Sequence, residues 1–386
     1  MASKRKKIGL LLYDQKEWTG GFYYTLNLIR SLQFLPDAEK PHIYFFYGGN
    51  KIDISQEILQ IKYPYASYAP LYVKINVLQR IINKIKRFIR KDADLLGTYS
   101  SGTVDFMYPC LNLSLEGEFS FLKKIKKIYW IPDFQDKYYP DFFSKEELEN
   151  REHLKLQFIE KKVPLAFSSY NAAADFKKFY PNATNKTNVL RFASILPDIT
   201  DVVLNDVNRK YNINGPYFIS PNQFWSHKNH IIVIEAIDIL VKRGMPVKLF
   251  FTGKEFNLQA PEYAVNLKMK VQRLGLDENI LFLGFIERSE QLILMKHAVA
   301  VIQPSLFEGW STVIEDTKAL DGRMIVSDLP IHREQCTENT EFFHPNDAEQ
   351  LADKIAALST NTTEIIKQEY NEYINAFAND FLNLDN

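Results

Sequence analysis

Two glutamates, Glu308 and Glu315, stand seven positions apart in LFEGWSTVIEDTKAL, residues 306–320, with Gly309, Trp310, Ser311 and Thr312 directly behind the first. Two carboxylates flanking one bond can cleave it by acid and base chemistry. An acid beside a helix start marks instead a place for a phosphate-bearing ligand, because the free N–H groups of the first turn attract anions. The apolar run AVAVIQPS precedes the stretch, which reads as strand, then loop, then a helix beginning near Ser311 or Thr312, both good N-caps. Glu308 is therefore expected in a loop at a strand's carboxyl end and Glu315 one turn into the helix. Gly309 lets a ligand approach the backbone closely. Glu315 so placed also suits the helix dipole with no ligand at all, so spacing alone does not decide.

A second constellation, SPNQFWSHKNH at 220–230, follows the apolar run YFIS and crowds Asn222, Gln223, His227, Lys228 and His230 into one strand-to-helix loop. Lys228 falls at a helix start, where the dipole disfavours a cation unless an anion sits there too. A diphosphate resolves that conflict, since lysine offers a point charge and the helix offers N–H donors. A solvated polar loop is the plainer alternative. No Walker sequence and no Gly-x-Gly-x-x-Gly occurs, which leaves an ATPase or an ordinary dinucleotide site without support.

The elements that must position these residues follow a regular plan. Apolar runs of strand length (KIGLLLY, HIYFFY, VDFMYPC, IYWIPD, PLAFSS and NVLRF, then YFIS, VKLFFTG, ILFLG, AVAVIQPS and RMIVSD) alternate with helical patterns at 22–34, 144–161, 229–243, 288–297 and 312–320. Continuous apolar strands separated by helices imply parallel sheets covered on both faces. The pattern pauses at 193–216, where turn formers cluster, and the junction between two doubly wound α/β domains is placed there. The expected division is 1–200, 201–365 and a C-terminal helical segment, 366–386. Ligands of such folds bind at the carboxyl ends of the strands.

A chain of 386 residues suits two such domains. Basic residues ahead of Ile8–Tyr13 imitate a signal peptide, but that apolar run is too short and reads as a first buried strand. No apolar stretch approaches the ~18 residues of a membrane span. Two cysteines, Cys110 and Cys336, form no disulfide framework and fit a reducing compartment, so a cytoplasmic chain is expected. The zero net charge hides a split, +9 over residues 1–200 and −9 over 201–386. Much of the positive excess lies in KINVLQRIINKIKRFIRK, 74–91, with seven Lys or Arg and no acid, and in KKIKK, 123–127. The first reads as a surface helix able to lie on anionic lipid headgroups, or equally as a helix with its apolar face in the core. Nucleic-acid binding lacks a recognition module. Asp92 and Asp94 imitate an Asp-x-Asp metal motif but follow a helix rather than a strand end, so no metal is expected.

The stretches FEGWSTVIE, KALDGRMIVSDLPIHRE, PNQFWSHKNH and TGGFYYTLNLIRSL resemble the retaining nucleotide-sugar glycosyltransferases of family 4, with their E-x7-E signature. YWIPDFQDKYYPDFF and AFSSYNAAADFKKFYP extend the likeness over most of the chain. The resemblance implies the GT-B fold, two Rossmann-like domains facing across a cleft, needing no metal or other cofactor. It implies that Glu308 holds hydroxyls of the donor sugar, and that Gly309, Trp310, Ser311, Thr312 and Val313 hold sugar and phosphates through the backbone. Glu315 would take the ribose and Lys228 the diphosphate. Gly20 and Gly21 would approach the leaving group, and Gly284, Phe285 and Ile286 would read the base. Asn222 stands where an arginine is frequent, so charge neutralisation falls on Lys228, helped by His227. No histidine lies between His42 and His153, where many relatives carry one facing the acceptor; Asp133 or Asp136 is expected there instead. The implied activity is sugar transfer from a nucleoside-diphosphate sugar to a glycan or lipid-linked acceptor, in bacterial O-antigen, capsule or similar synthesis. A non-catalytic nucleotide-sugar-binding subunit of a membrane assembly is the alternative.

Overall fold

Every strand pairing among the described residues is parallel, in two separate sheets. The computed structural model describes residues 5–12, 19–47, 56–70, 103–113, 125–256, 260–336, 338–360 and 364–386, with positions 78, 81, 82, 84 and 85. The chain divides into two compact units: 1–132 with 150–193 and 371–386, and 133–149 with 194–370.

In the first unit the strands are β1 (Lys7–Leu11), β2 (His42–Tyr47), β3 (Ala66–Pro70), β4 (Phe106–Cys110), β5 (Lys126–Ile131), β6 (Leu165–Phe167) and β7 (Thr187–Val189), in the order β3-β2-β1-β4-β5-β6-β7. The second unit holds β8 (Phe218–Pro221), β9 (Leu249–Thr252), β10 (Ile280–Gly284), β11 (Val301–Gln303), β12 (Met324–Ser327) and β13 (Thr340–Phe343), in the order β10-β9-β8-β11-β12-β13. Both orders turn back beside the first strand, as in doubly wound dinucleotide-binding sheets. Helix-covered parallel sheets of this kind, twice over, make the fold GT-B.

The second unit shows why its strands are apolar without alternation. Phe218, Leu249, Phe251, Ile302 and Ile325 point to one face, against Val233, Ile237 and Leu240 of the helix His230–Lys242. Their neighbours Ile219, Phe250, Val301, Met324 and Val326 point to the other, against Leu292 and Met295 of the helix Arg288–His297. Successive strand side chains face opposite sides, and with helices on both sides neither set meets water. Each fully buried aliphatic or aromatic side chain contributes about 1.5–3 kcal/mol.

Residues 133–149 lie inside the span read from the sequence as the first domain, yet they pack with the second unit. The rings of Tyr138 and Tyr139 sit 5.7 and 6.2 Å from Phe307, and Phe142 sits 6.3 Å from the ring of His227. The helix Asn371–Leu382 belongs to the first unit, contributing Phe377 beside Tyr24 and Phe192, and Phe381 beside Phe106 and Tyr108. Most of 74–91 lies outside the described residues, as do Asp92, Asp94, Lys123 and Lys124. Leu78, Ile81 and Ile85 are described and are 65, 51 and 53% exposed. Among the described residues no helix is long and apolar enough to cross a membrane.

Candidate functional site

The strand order of the second unit reverses between β8 and β11, and both constellations follow those two strands. That reversal opens a crevice at the carboxyl ends of a parallel sheet. After β8 the chain passes Asn222, makes a short 3-10 turn at Ser226–Lys228 and enters the helix His230–Lys242 through Asn229, whose backbone is left-handed (φ 53). After β11 it passes Ser305 and Glu308 and enters the helix Thr312–Ala319 with Ser311 as N-cap.

The two loops meet in an ion pair. Lys228 Nζ donates to Glu308 Oε1 at 2.6 Å, with the side chains 18 and 8% exposed. The same oxygen accepts from Gln303 Nε2 at 2.7 Å and from Ser305 Oγ at 2.6 Å. Asn222 Nδ2 completes the row by donating to Gln303 Oε1 at 2.8 Å. Oε1 of Glu308 is thus filled by protein donors, while no hydrogen bond to Oε2 is found among the described residues. Burial by itself would raise the Glu308 pKa. The positive charge of Lys228 and the hydrogen bonds from Lys228 and Ser305 outweigh it and bring the carboxyl down to about 2. Glu308 is therefore a fixed anion that can only accept, suited to a hydroxyl donor. Lys228 spends one of its three protons on Glu308, and the ammonium has donor capacity beyond that bond.

His227 does not add the positive charge expected of it. Burial, then the neighbouring Lys228 cation, lowers its pKa to about 4, so at neutral pH the ring offers at most one N–H. Asn222 is buried and its amide is committed to Gln303, so it is no substitute for a cation. Of the backbone donors expected at 309–312, the Ser311 N–H already donates to Gln335 Oε1 at 3.0 Å, while Gln335 Nε2 returns a bond to Ser311 O at 2.7 Å. The first-turn amides beyond Ser311 have no intrahelical acceptor and remain for a ligand. Thr312 is exposed, and Val313 packs against the core.

The motif count needs a correction. Six residues, 309–314, lie between Glu308 and Glu315; the residue that completes an x7 spacing is Asp316. The two neighbours differ in environment. Glu315 is wholly buried, its Oε1 accepting from Lys318 Nζ and Gln335 Nε2 at 3.0 Å each and its Oε2 from the Tyr370 hydroxyl at 2.5 Å. Glu315 thus accepts three hydrogen bonds from protein donors and exposes no surface, because the helix turns this carboxylate toward a buried lysine. Asp316 Oδ1 pairs with Arg288 at 2.5 Å and accepts from Ser194 Oγ, while its buried Oδ2 has no hydrogen-bond partner. An unsatisfied buried carboxylate oxygen is costly, and a ligand hydroxyl would relieve it.

The β10 loop lies on the Arg288 side of this corner. Gly284 takes φ 69, which an L side chain rarely adopts; Phe285 is 80% exposed and Ile286 turns into the core. Gly20 and Gly21 lie in the first turn of the helix Thr19–Ser31 of the first unit. Asp133 is half-buried and accepts from the Gln135 N–H at 3.0 Å; Asp136 is buried in the short helix Gln135–Tyr138. Both stand on the 133–149 segment that packs with the second unit. Among the described residues no group of three or more His, Cys, Asp or Glu is arranged to hold a metal ion. Sequence reasoning passed over Gln303, Ser305, Asp316, Lys318 and Gln335. A polar Gln303 inside an apolar strand was the available signal for the first.

The region so built lies within a span that also resembles known proteins. Residues 206–377 match the family model described as glycosyl transferases group 1. The O-antigen chain mannosyltransferase RfbU of Salmonella typhimurium (strain LT2) is 26% identical over 172 residues, covering 42% of this chain and 45% of that protein. The chain thus spans less than half the length of this curated relative. Among solved structures, Anabaena Alr3699/HepE in complex with UDP and glucose superposes with a TM-score of 0.64 at 16% identity, covering 99% of this chain and 96% of that one. A glycosyltransferase from Rickettsia africae ESF-5 gives 0.63 at 16% identity, covering 98 and 95%. WaaG, a glycosyltransferase involved in lipopolysaccharide biosynthesis, gives 0.58 at 13% identity, covering 96 and 95%. These likenesses show the GT-B fold.

Proposed function

We propose that this chain is a retaining, metal-independent glycosyltransferase that moves a sugar from a nucleoside-diphosphate sugar to a glycan or lipid-linked acceptor in bacterial surface-polysaccharide synthesis. The observation that carries the reading is the Lys228–Glu308 pair at the point where the second sheet reverses, inside the span matching glycosyl transferases group 1. In this reading the Lys228 ammonium and the first-turn amides of the helix Thr312–Ala319 meet the diphosphate, whose negative charge grows as the glycosidic bond breaks. Fixed donors aimed at developing charge are worth about 3 kcal/mol each in rate. Glu308 Oε2 accepts from a hydroxyl of the donor sugar. The ribose role moves from Glu315 to Asp316, the neighbour with an unpaired oxygen. Retention follows from attack of the acceptor on the face the diphosphate leaves, with Asp133 or Asp136 anchoring or deprotonating the acceptor hydroxyl.

The relatives named for O-antigen and lipopolysaccharide synthesis support an acceptor of that class. Exposed Leu78, Ile81 and Ile85, within a stretch rich in Lys and Arg, support contact with anionic lipid from the cytoplasmic side. Incubation with a panel of UDP- and GDP-sugars and lipid-linked acceptors tests the reading by nucleoside-diphosphate release. A non-catalytic nucleotide-sugar-binding subunit is a second reading, favoured by one observation: Asn222, placed for a phosphate cation, is uncharged and turned inward. Turnover by the isolated chain excludes it.

A further inference from the structure

We infer that Tyr139 is a positioning residue for the Lys228–Glu308 pair, an inference that rests on the glycosyltransferase reading. The chain leaves the first unit at Pro132 and re-enters it at Asn150, and between those points it packs with the unit that carries the pair. One residue ties the two charged loops together: the N–H of Leu306, two residues before Glu308, donates to the carbonyl of His227, next to Lys228, at 2.7 Å. The Tyr139 hydroxyl donates to the carbonyl of the same residue, Leu306 O, at 3.2 Å. Its ring is held in place by stacking on Phe142, centroids 5.3 Å apart and nearly parallel, and by the edge contact with Phe307 next to Glu308. Phe142 in turn meets the His227 ring, so rings flank both loops that Leu306 joins. Partial burial raises the Tyr139 pKa, so at any working pH the group is a neutral phenol that donates.

The consequence is geometric. Leu306 joins the loop of Lys228 to the loop of Glu308, and holding its backbone holds the ammonium relative to the carboxylate. Donors act on a transition state only when held in place beforehand, and small displacements of catalytic groups cost large factors in rate.

The test is Tyr139→Phe, which keeps the ring packing and removes the hydroxyl, measured alone and in a Lys228→Ala background with the best donor of the UDP- and GDP-sugar panel. We expect kcat to fall about fivefold with donor KM changed less than twofold, the signature of an interaction used in the transition state. In the Lys228→Ala background the same change is expected to cost less than about 1.5-fold, because residues acting through one another are not additive. Unchanged kcat in Y139F, or an equal loss in both backgrounds, overturns the inference. Phe142→Leu is a second variant, expected to show a smaller loss with the same non-additivity; additive loss contradicts it too. A wild-type chain that turns over no nucleotide sugar sinks the glycosyltransferase reading instead, so the two failures are distinct.

Discussion

Exchanging the charge at Glu315 and at Asp316 separately should split binding from stability. Asp316→Asn neutralises the carboxylate whose buried Oδ2 has no hydrogen-bond partner, and a hydrogen bond from a ribose hydroxyl to a charged acceptor is worth about 1.5–3 kcal/mol. The dissociation constant of the bound nucleoside diphosphate should rise about 10–100-fold, with pyrophosphate binding unchanged. Asp316 is itself 1% exposed, but its partner Arg288 is 29% exposed and stays hydrated when the charge is removed, so D316N should cost less stability than E315Q. Glu315→Gln instead leaves the Lys318 ammonium, 1% exposed, without its counter-charge. Breaking a buried pair in this way costs about 3–5 kcal/mol, a fall on the order of 10 °C in Tm for a unit of this size. Titration calorimetry with UDP and GDP, their 2′,3′-dideoxy forms and pyrophosphate, beside a melting curve, reads both effects. If E315Q, still folded, loses nucleotide affinity tenfold while D316N binds normally, the assignment of the ribose to Asp316 is wrong.

Three further outcomes are expected. His230 is wholly buried against Phe224, and burial lowers its pKa to about 3, so the unfolded chain binds the extra proton between about pH 6.5 and 3. Its contribution is complete above pH 6.5 and falls as pH drops, reaching about 2 kcal/mol lost at pH 5; His227 and His332, both lowered by burial, act in the same sense. The Tm of the wild type should drop between pH 7.5 and 5, and His230→Phe should shrink that drop. Gly253→Ala places a Cβ 2.2 Å from the Asn222 carbonyl, at a φ of 144; the β8 loop must shift, and both Tm and nucleotide affinity should fall. Glu308→Gln keeps the shape but offers Lys228 no charge, and should lower kcat by about 100-fold, with a Tm change of a few degrees.

Much of this architecture was readable from residue patterns, for stated reasons. Strands buried on both faces are apolar throughout, which is why β1, β2, β8, β9, β11 and β12 stand out. The edge strand β13 (TEFF) does not, since Thr340, Glu341 and Phe342 are only half-buried, and β3 (ASYAP) lacks an apolar run, whereas the edge strand β10 (ILFLG) was legible. The loops after β8 and β11 were identifiable because charged and amide side chains interrupt apolar runs at strand ends. What each carboxylate faces was hidden. Glu315 and Asp316 are adjacent and both acidic, and only the packing of Lys318, Gln335 and Tyr370 around one of them separates their roles. The placement of 133–149 was equally invisible, because it depends on Tyr138, Tyr139 and Phe142 finding Phe307 and His227, far away in sequence.

The most direct test of the central claim is nucleoside-diphosphate release at saturating donor and acceptor, compared between the wild type and Lys228→Ala. Acceptor-dependent release by the wild type, reduced 100-fold or more in K228A, is the predicted result. Release that K228A leaves unchanged, in a folded protein that still binds the donor, would contradict the account.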